Sequence, residues 1–127
     1  MSRAGREMRK LRDLERIAGL ILEEELAALD RLAREQEEIC QEINRLRDMA
    51  SDRARALLEC GAEDPAFLAG QDQTWRRWEE ERRALLNNRL ARLRANHEMQ
   101  KAKASLAFGR AEAIRKLIGQ NEARKKP

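Results

Sequence analysis

Gly61-Ala-Glu-Asp-Pro-Ala-Phe-Leu-Ala-Gly70 divides a sequence that otherwise carries little to interrupt a helix. Pro65 is the only proline before the terminal Pro127, so nothing breaks a helix from about residue 5 to 60 or from about 72 to 119. Within the stretch, Gly61 is placed to close one helix, Asp64-Pro65 to open another, and Gly70 adds a second point of backbone freedom. The expected architecture is all-α, a long two-helix antiparallel coiled-coil hairpin spanning residues 1–127 as one domain. Helix 1 covers about 5–60, the turn about 61–71, helix 2 about 72–119, and a basic tail 120–127.

Heptads on either side of the break support this. With a positions at 8, 15, 22, 29, 36, 43, 50 and 57 and d positions at 11, 18, 25, 32, 39, 46, 53 and 60, twelve of sixteen sites are apolar, counting Ala and Cys. A seam sustained that long is a coiled-coil signal. The second helix carries the same alternating spacing through Leu86, Leu90, Leu93, His97, Gln100, Ala104, Ala107, Ala111, Ile114 and Ile118. Its alanines imply either a close helix approach or room for a third helix from a partner.

Folding the chain at the turn with paired numbers summing to about 132 sets Arg53 against Glu79, Gln36 against Asn96 and His97, and Glu25 near Ala107 and Arg110. Polar seam positions then meet polar or opposite-charge partners, as register-fixing layers do. The flanks agree: residues 23–48 hold nine acidic and four basic side chains, residues 76–103 nine basic and four acidic. That complementarity favours an intramolecular hairpin over helices that each pair with another chain. Gly19 and Gly109 fall nearly opposite each other, as a hinge or a point of close backbone approach.

Composition fits the same picture. Charged residues make up 39% of the chain and aromatics 3%, which suits long solvated helices with a narrow apolar seam and an elongated molecule rather than a thick core. The one N-terminal apolar run, Ile17 to Leu22, is interrupted by Gly19 and followed by three glutamates, too short for a signal-peptide core or a membrane span. The expectation is a soluble, cytoplasmic protein.

Catalytic machinery is not legible: no phosphate-cradling glycine loop, no Ser or Cys with a plausible His partner, no ligand cluster at metal spacing, and so no enzyme, metal or cofactor is expected. Cys40 and Cys60 lie roughly 30 Å apart on one helix at about 1.5 Å rise per residue, too far to bridge. They read as ordinary thiols, and His97 as a hydrogen-bonded layer residue beside Gln100.

Two regions remain as candidates for partner binding. Phe67, Trp75 and Trp78 cluster at or just after the turn. Trp75 and Phe67 either cap the hairpin core, with Trp78 stacked under an arginine, or form a binding patch. At the opposite end, residues 1–16 and 108–127 together carry a net charge of +7, leaving −3 for the rest. Frayed solvated termini, an acidic protein partner and nucleic acid are the three readings of that basic end, the last lacking an aromatic stacking platform.

A two-helix coiled coil of this size, with basic juxtaposed termini, a mid-chain tip and the segments Asp64-Pro65-Ala66, Trp75-Arg-Arg-Trp78 and Ala107-Phe-Gly-Arg110, resembles the FliJ and YscO stalk proteins of flagellar and injectisome type III secretion. These look in turn like the central-stalk gamma subunit of rotary ATPases. The resemblance implies a non-enzymatic, chaperone-like stalk that inserts Arg6, Arg9, Lys10, Arg115 and Lys116 into a hexameric secretion ATPase and presents Phe67, Trp75 and Trp78 to the export gate. It also implies a cytoplasmic protein, or one peripheral at the inner membrane through the secretion complex. The competing expectations are a generic coiled-coil adaptor or spacer, monomeric or dimeric, and a nucleic-acid-binding accessory protein.

Overall fold

The computed structural model describes residues 2–59 and 65–125, with the side chains of 65–67 and 125 excepted. It is all-α: helix α1 spans Arg3–Glu59 and helix α2 Pro65–Lys125, packed against each other as a hairpin. Ser2 caps α1. Its hydroxyl oxygen accepts from the Gly5 amide at 3.1 Å and its carbonyl from the Arg6 amide at 3.0 Å, satisfying two of the donors a helix start leaves open.

Two boundaries depart from the sequence expectation. Helix α2 opens at Pro65, so residues 65–71, expected in the turn, are helical. Proline suits the first helical position, because its missing N–H would have no partner there and its fixed φ is already helical. Gly70 therefore lies inside a helix, with no positive φ, and Thr74 donates its hydroxyl to the Gly70 carbonyl at 3.0 Å. At the other end, Gly119 does not stop α2, and residues 120–125, expected in the tail, continue the helix. Glycine in a helix interior costs about 1 kcal/mol relative to alanine, and α2 continues through it. Cys60, Gly61 and Pro127 lie outside the described residues.

The chain divides into two compact units, Met1–Ala33 with Asn96–Pro127 and Arg34–Ala95. In the first, the buried seam is Met8 and Ala18 on α1 against Ala104, Ala107, Ala111 and Ile118 on α2. In the second, it is Ile39, Ile43 and Leu46 against Leu86, Leu90 and Leu93, with the carboxylate-bearing Glu79 buried beside them. Among the described residues the α1 heptad positions are buried or half-buried as expected, except that Glu15 and Leu57 are exposed. Free cysteine Cys40 is half-buried in the second unit.

Because α2 starts earlier than expected, the pairing moves by up to one heptad. Glu25 meets Gln100, not Ala107 or Arg110: the Gln100 amide donates to the Glu25 carbonyl oxygen at 3.0 Å and to its carboxylate. Arg53 lies over the Trp75 ring, 4.7 Å from its centroid, while the ion pair of Glu79 is with Arg83 on its own helix at 3.5 Å. A slip of seven residues leaves every seam position facing a seam position, so the hydrophobic pattern cannot detect it; only the length of the turn can. Charge-complementary contacts between the helices do form, with Arg82 to Glu42 at 3.0 Å in the second unit and Arg12 to Glu122 at 3.3 Å in the first. Each is solvent-exposed and contributes about 0–1 kcal/mol. Gly19 and Gly109 do not serve close approach, since a Cβ at either would meet nothing within 4 Å.

Candidate partner-docking face

In the first unit, the α1 segment Leu14-Glu-Arg-Ile-Ala-Gly-Leu-Ile-Leu22 is apolar well beyond its a and d positions. Leu14, Ile17 and Ile21 recur at intervals of three and four, so they form a second stripe along one flank of the seam. They stay 50%, 53% and 45% exposed. On α2, Leu106, Arg110, Ala113 and Leu117 have the same spacing, and Leu106 and Leu117 are also largely exposed.

Between the helices on this flank runs a groove of about 370 Å³, lined by Leu14, Ile17, Ala18 and Ile21 from α1 and Ala107, Arg110, Ala113 and Ile114 from α2. Arg110 is its one charged lining residue, and the walls are otherwise aliphatic. Leu14, Ile17 and Ile21 stand as knobs along α1, and Ala107 and Ala113 leave hollows beside Arg110 and Ile114 on α2, relief in which side chains of a further helix can seat. A half-exposed Leu or Ile leaves about 1 kcal/mol of burial unrealised, so the flank holds a substantial driving force for association. Two helices packed through a and d cannot cover side chains at the outer positions of the same heptads; a third helix can.

The residues anticipated from sequence are distributed differently. Arg6, Arg9, Lys10, Arg115 and Lys116 are all exposed in the first unit, and Arg115 pairs with Glu112 on its own helix at 2.6 Å. Lys10 precedes Leu14 by one helical turn, at the edge of the apolar stripe. Trp75 and Trp78 belong to the second unit, their ring centroids 6.4 Å apart and tilted at 46°. The arginine stacks on Trp75 rather than Trp78: Trp75 is half-buried under Arg53, while Trp78 stays 49% exposed beside Met49, Leu46 and Arg82. The Phe67 side chain lies outside the described residues. Among the described residues no cluster of three or more His, Cys, Asp or Glu side chains could hold a metal, and no helix is long and apolar enough to cross a membrane.

Sequence reasoning missed Leu14, Ile17, Ile21 and Leu106. The signal was present as the run Ile17 to Leu22, weighed only as a possible membrane or export segment, while its three-and-four spacing from Leu14 marks an amphipathic face. No family model, no curated protein and no solved structure matches this chain.

Proposed function

We propose that this chain is a non-enzymatic docking protein, a helical hairpin that offers the flank bearing Leu14, Ile17 and Ile21 to an amphipathic helix of another polypeptide. The observation that carries this reading is the half-exposed aliphatic stripe beside an alanine-lined groove. Contiguous apolar relief of that kind, rimmed by charge, is the usual mark of a protein interface. The test is capture from the lysate of the chain's host with wild type and with Ile17→Asp, after circular dichroism has shown equal helix content. Proteins retained by wild type and lost by the variant are the expected outcome; identical retention would remove the flank from the function.

A second reading is favoured by the five exposed cations Arg6, Arg9, Lys10, Arg115 and Lys116 in the same unit. In it the hairpin is a stalk of a type III export apparatus, with these residues entering the lumen of the secretion ATPase ring and the exposed Trp78 region meeting the export gate. Long-range steering by such a cluster is salt-sensitive, so binding to the ATPase should weaken as ionic strength rises. Unchanged ATPase binding by Arg9→Glu, Arg115→Glu would sink it.

A further inference from the structure

We infer that the first occupant of the apolar flank is a second copy of this chain, its α2 laid against α1 in both directions about a two-fold axis parallel to the helices of the first unit. The inference rests on the reading of that flank as a docking face, and names what docks there.

Relief comes first. The α1 wall of the groove carries Leu14, Ile17 and Ile21 beside Ala18, and the α2 wall carries Ala107 and Ala113 beside Arg110 and Ile114. When α1 of one copy faces α2 of the other at matched levels, Leu14 meets the small Ala113. Pairing α1 with α1 would instead set Leu14, Ile17 and Ile21 against their own copies.

Height comes next. A two-fold axis parallel to the helices leaves every residue at its own level, so the levels that match within one hairpin also match between copies. Ile17 and Arg110 line the groove together, and equal rise per residue then places Ile21 level with Leu106. One heptad from the Ile17 level, Glu24 on α1 comes level with Lys103 on α2, both exposed on the flank in question. The pairing thus covers Ile17 with the stem of Arg110 and Ile21 with Leu106, and sets Glu24 against Lys103, twice over by symmetry. The α1–α1 alternative offers no such complement, because Glu24 then comes level with Glu24 of the other copy, like charge against like.

Light scattering and sedimentation on the full chain, at concentrations up to about 1 mM, would read the assembly state. A dimer is expected. A photo-crosslinker placed at position 20, beside the stripe, in a mixture of unlabelled and heavy-nitrogen-labelled chains should join α1 of one copy to the 103–113 region of α2 of another. Ile17→Asp should raise the dissociation constant more than about a hundredfold with helix content unchanged. Glu24→Lys should weaken the dimer about tenfold, and Glu24→Lys with Lys103→Glu should restore it. A dimer crosslinked α1 to α1, or one indifferent to both Ile17→Asp and the charge swap, would overturn the inference. So would a monomer at every concentration. In that event an apolar fluorescent dye separates the two ideas: Ile17-dependent dye binding keeps the docking face and removes only the second copy, and no dye binding removes both.

Discussion

Replacing Arg53 with methionine should leave the hairpin as stable as before or stabilise it by about 1 kcal/mol, although it deletes a charged residue with a visible partner. Arg53 occupies a d position of the seam, half-buried, with its guanidinium 4.7 Å from the centre of the Trp75 ring. A partly desolvated cation over an indole face contributes about 1–2 kcal/mol. Against that stands Arg53 Nε, buried with no hydrogen-bond partner, at a cost of about 1–3 kcal/mol. The two terms nearly cancel. Methionine removes both, keeps an unbranched apolar stem in the seam and offers a sulfur to the ring, worth about 0.3–1.5 kcal/mol. The buried Glu79 does not lose its counter-ion, because that ion pair is with Arg83. The assay is urea unfolding followed by circular dichroism on wild type, Arg53→Met, Trp75→Leu and the double variant. The cycle should return a coupling of about 0.5 kcal/mol, the guanidinium–indole term of about 1–2 kcal/mol less the sulfur–indole term that methionine supplies. A loss of more than about 2 kcal/mol in Arg53→Met would refute the reasoning, because it would mean that the guanidinium makes contributions the geometry does not contain.

Gly19→Ala and Gly109→Ala should each raise stability by about 1 kcal/mol, since both glycines are helical, have no positive φ, and would place a Cβ in open space; unfolding midpoints read this, and a destabilised variant would show that the position needs its freedom. Leu90→Ala, in the centre of the second unit's seam, should cost about 2–5 kcal/mol in the same assay. Gln100→Ala should cost about 1–2 kcal/mol by taking the amide from the Glu25 carbonyl and carboxylate, whereas Arg82→Ala, which breaks an exposed pair with Glu42, should stay within about 1 kcal/mol of wild type.

The seam was legible because burial on a two-helix interface repeats, and repetition survives single exceptions such as Glu15. The break between the helices was legible for the opposite reason: Pro65 stands alone before the terminal Pro127. What escaped was the exact length of the turn. Gly70 reads as loop chemistry, yet a helix opened by Pro65 runs through it at modest cost, and this early start is enough to bring Gln100 to Glu25 and Trp75 to Arg53. The docking flank escaped because a heptad count scores a and d and passes over the positions beside them. Leu14, Ile17 and Ile21 are a stripe only when the outer positions are read as a pattern in their own right. Charge, by contrast, was easy to count and drew attention to Arg9 and Arg115, both exposed, with Arg115 paired to Glu112 on its own helix.

The contrast between the two seams carries a consequence for how the gene can vary. Where the interface is Ala104, Ala107 and Ala111, there is almost no side chain to lose, and damage comes from added bulk that pushes the helices apart. Where it is Leu86, Leu90 and Leu93, bulk is what fills the interface and damage comes from its removal. A saturation library read out by folding should therefore show inverted tolerance along one helix: leucine rejected and glycine, serine or cysteine partly accepted between 104 and 111, and the reverse between 86 and 93. Drift at the alanine sites is confined to a few small residues, while the leucine sites can exchange among isoleucine, methionine and phenylalanine.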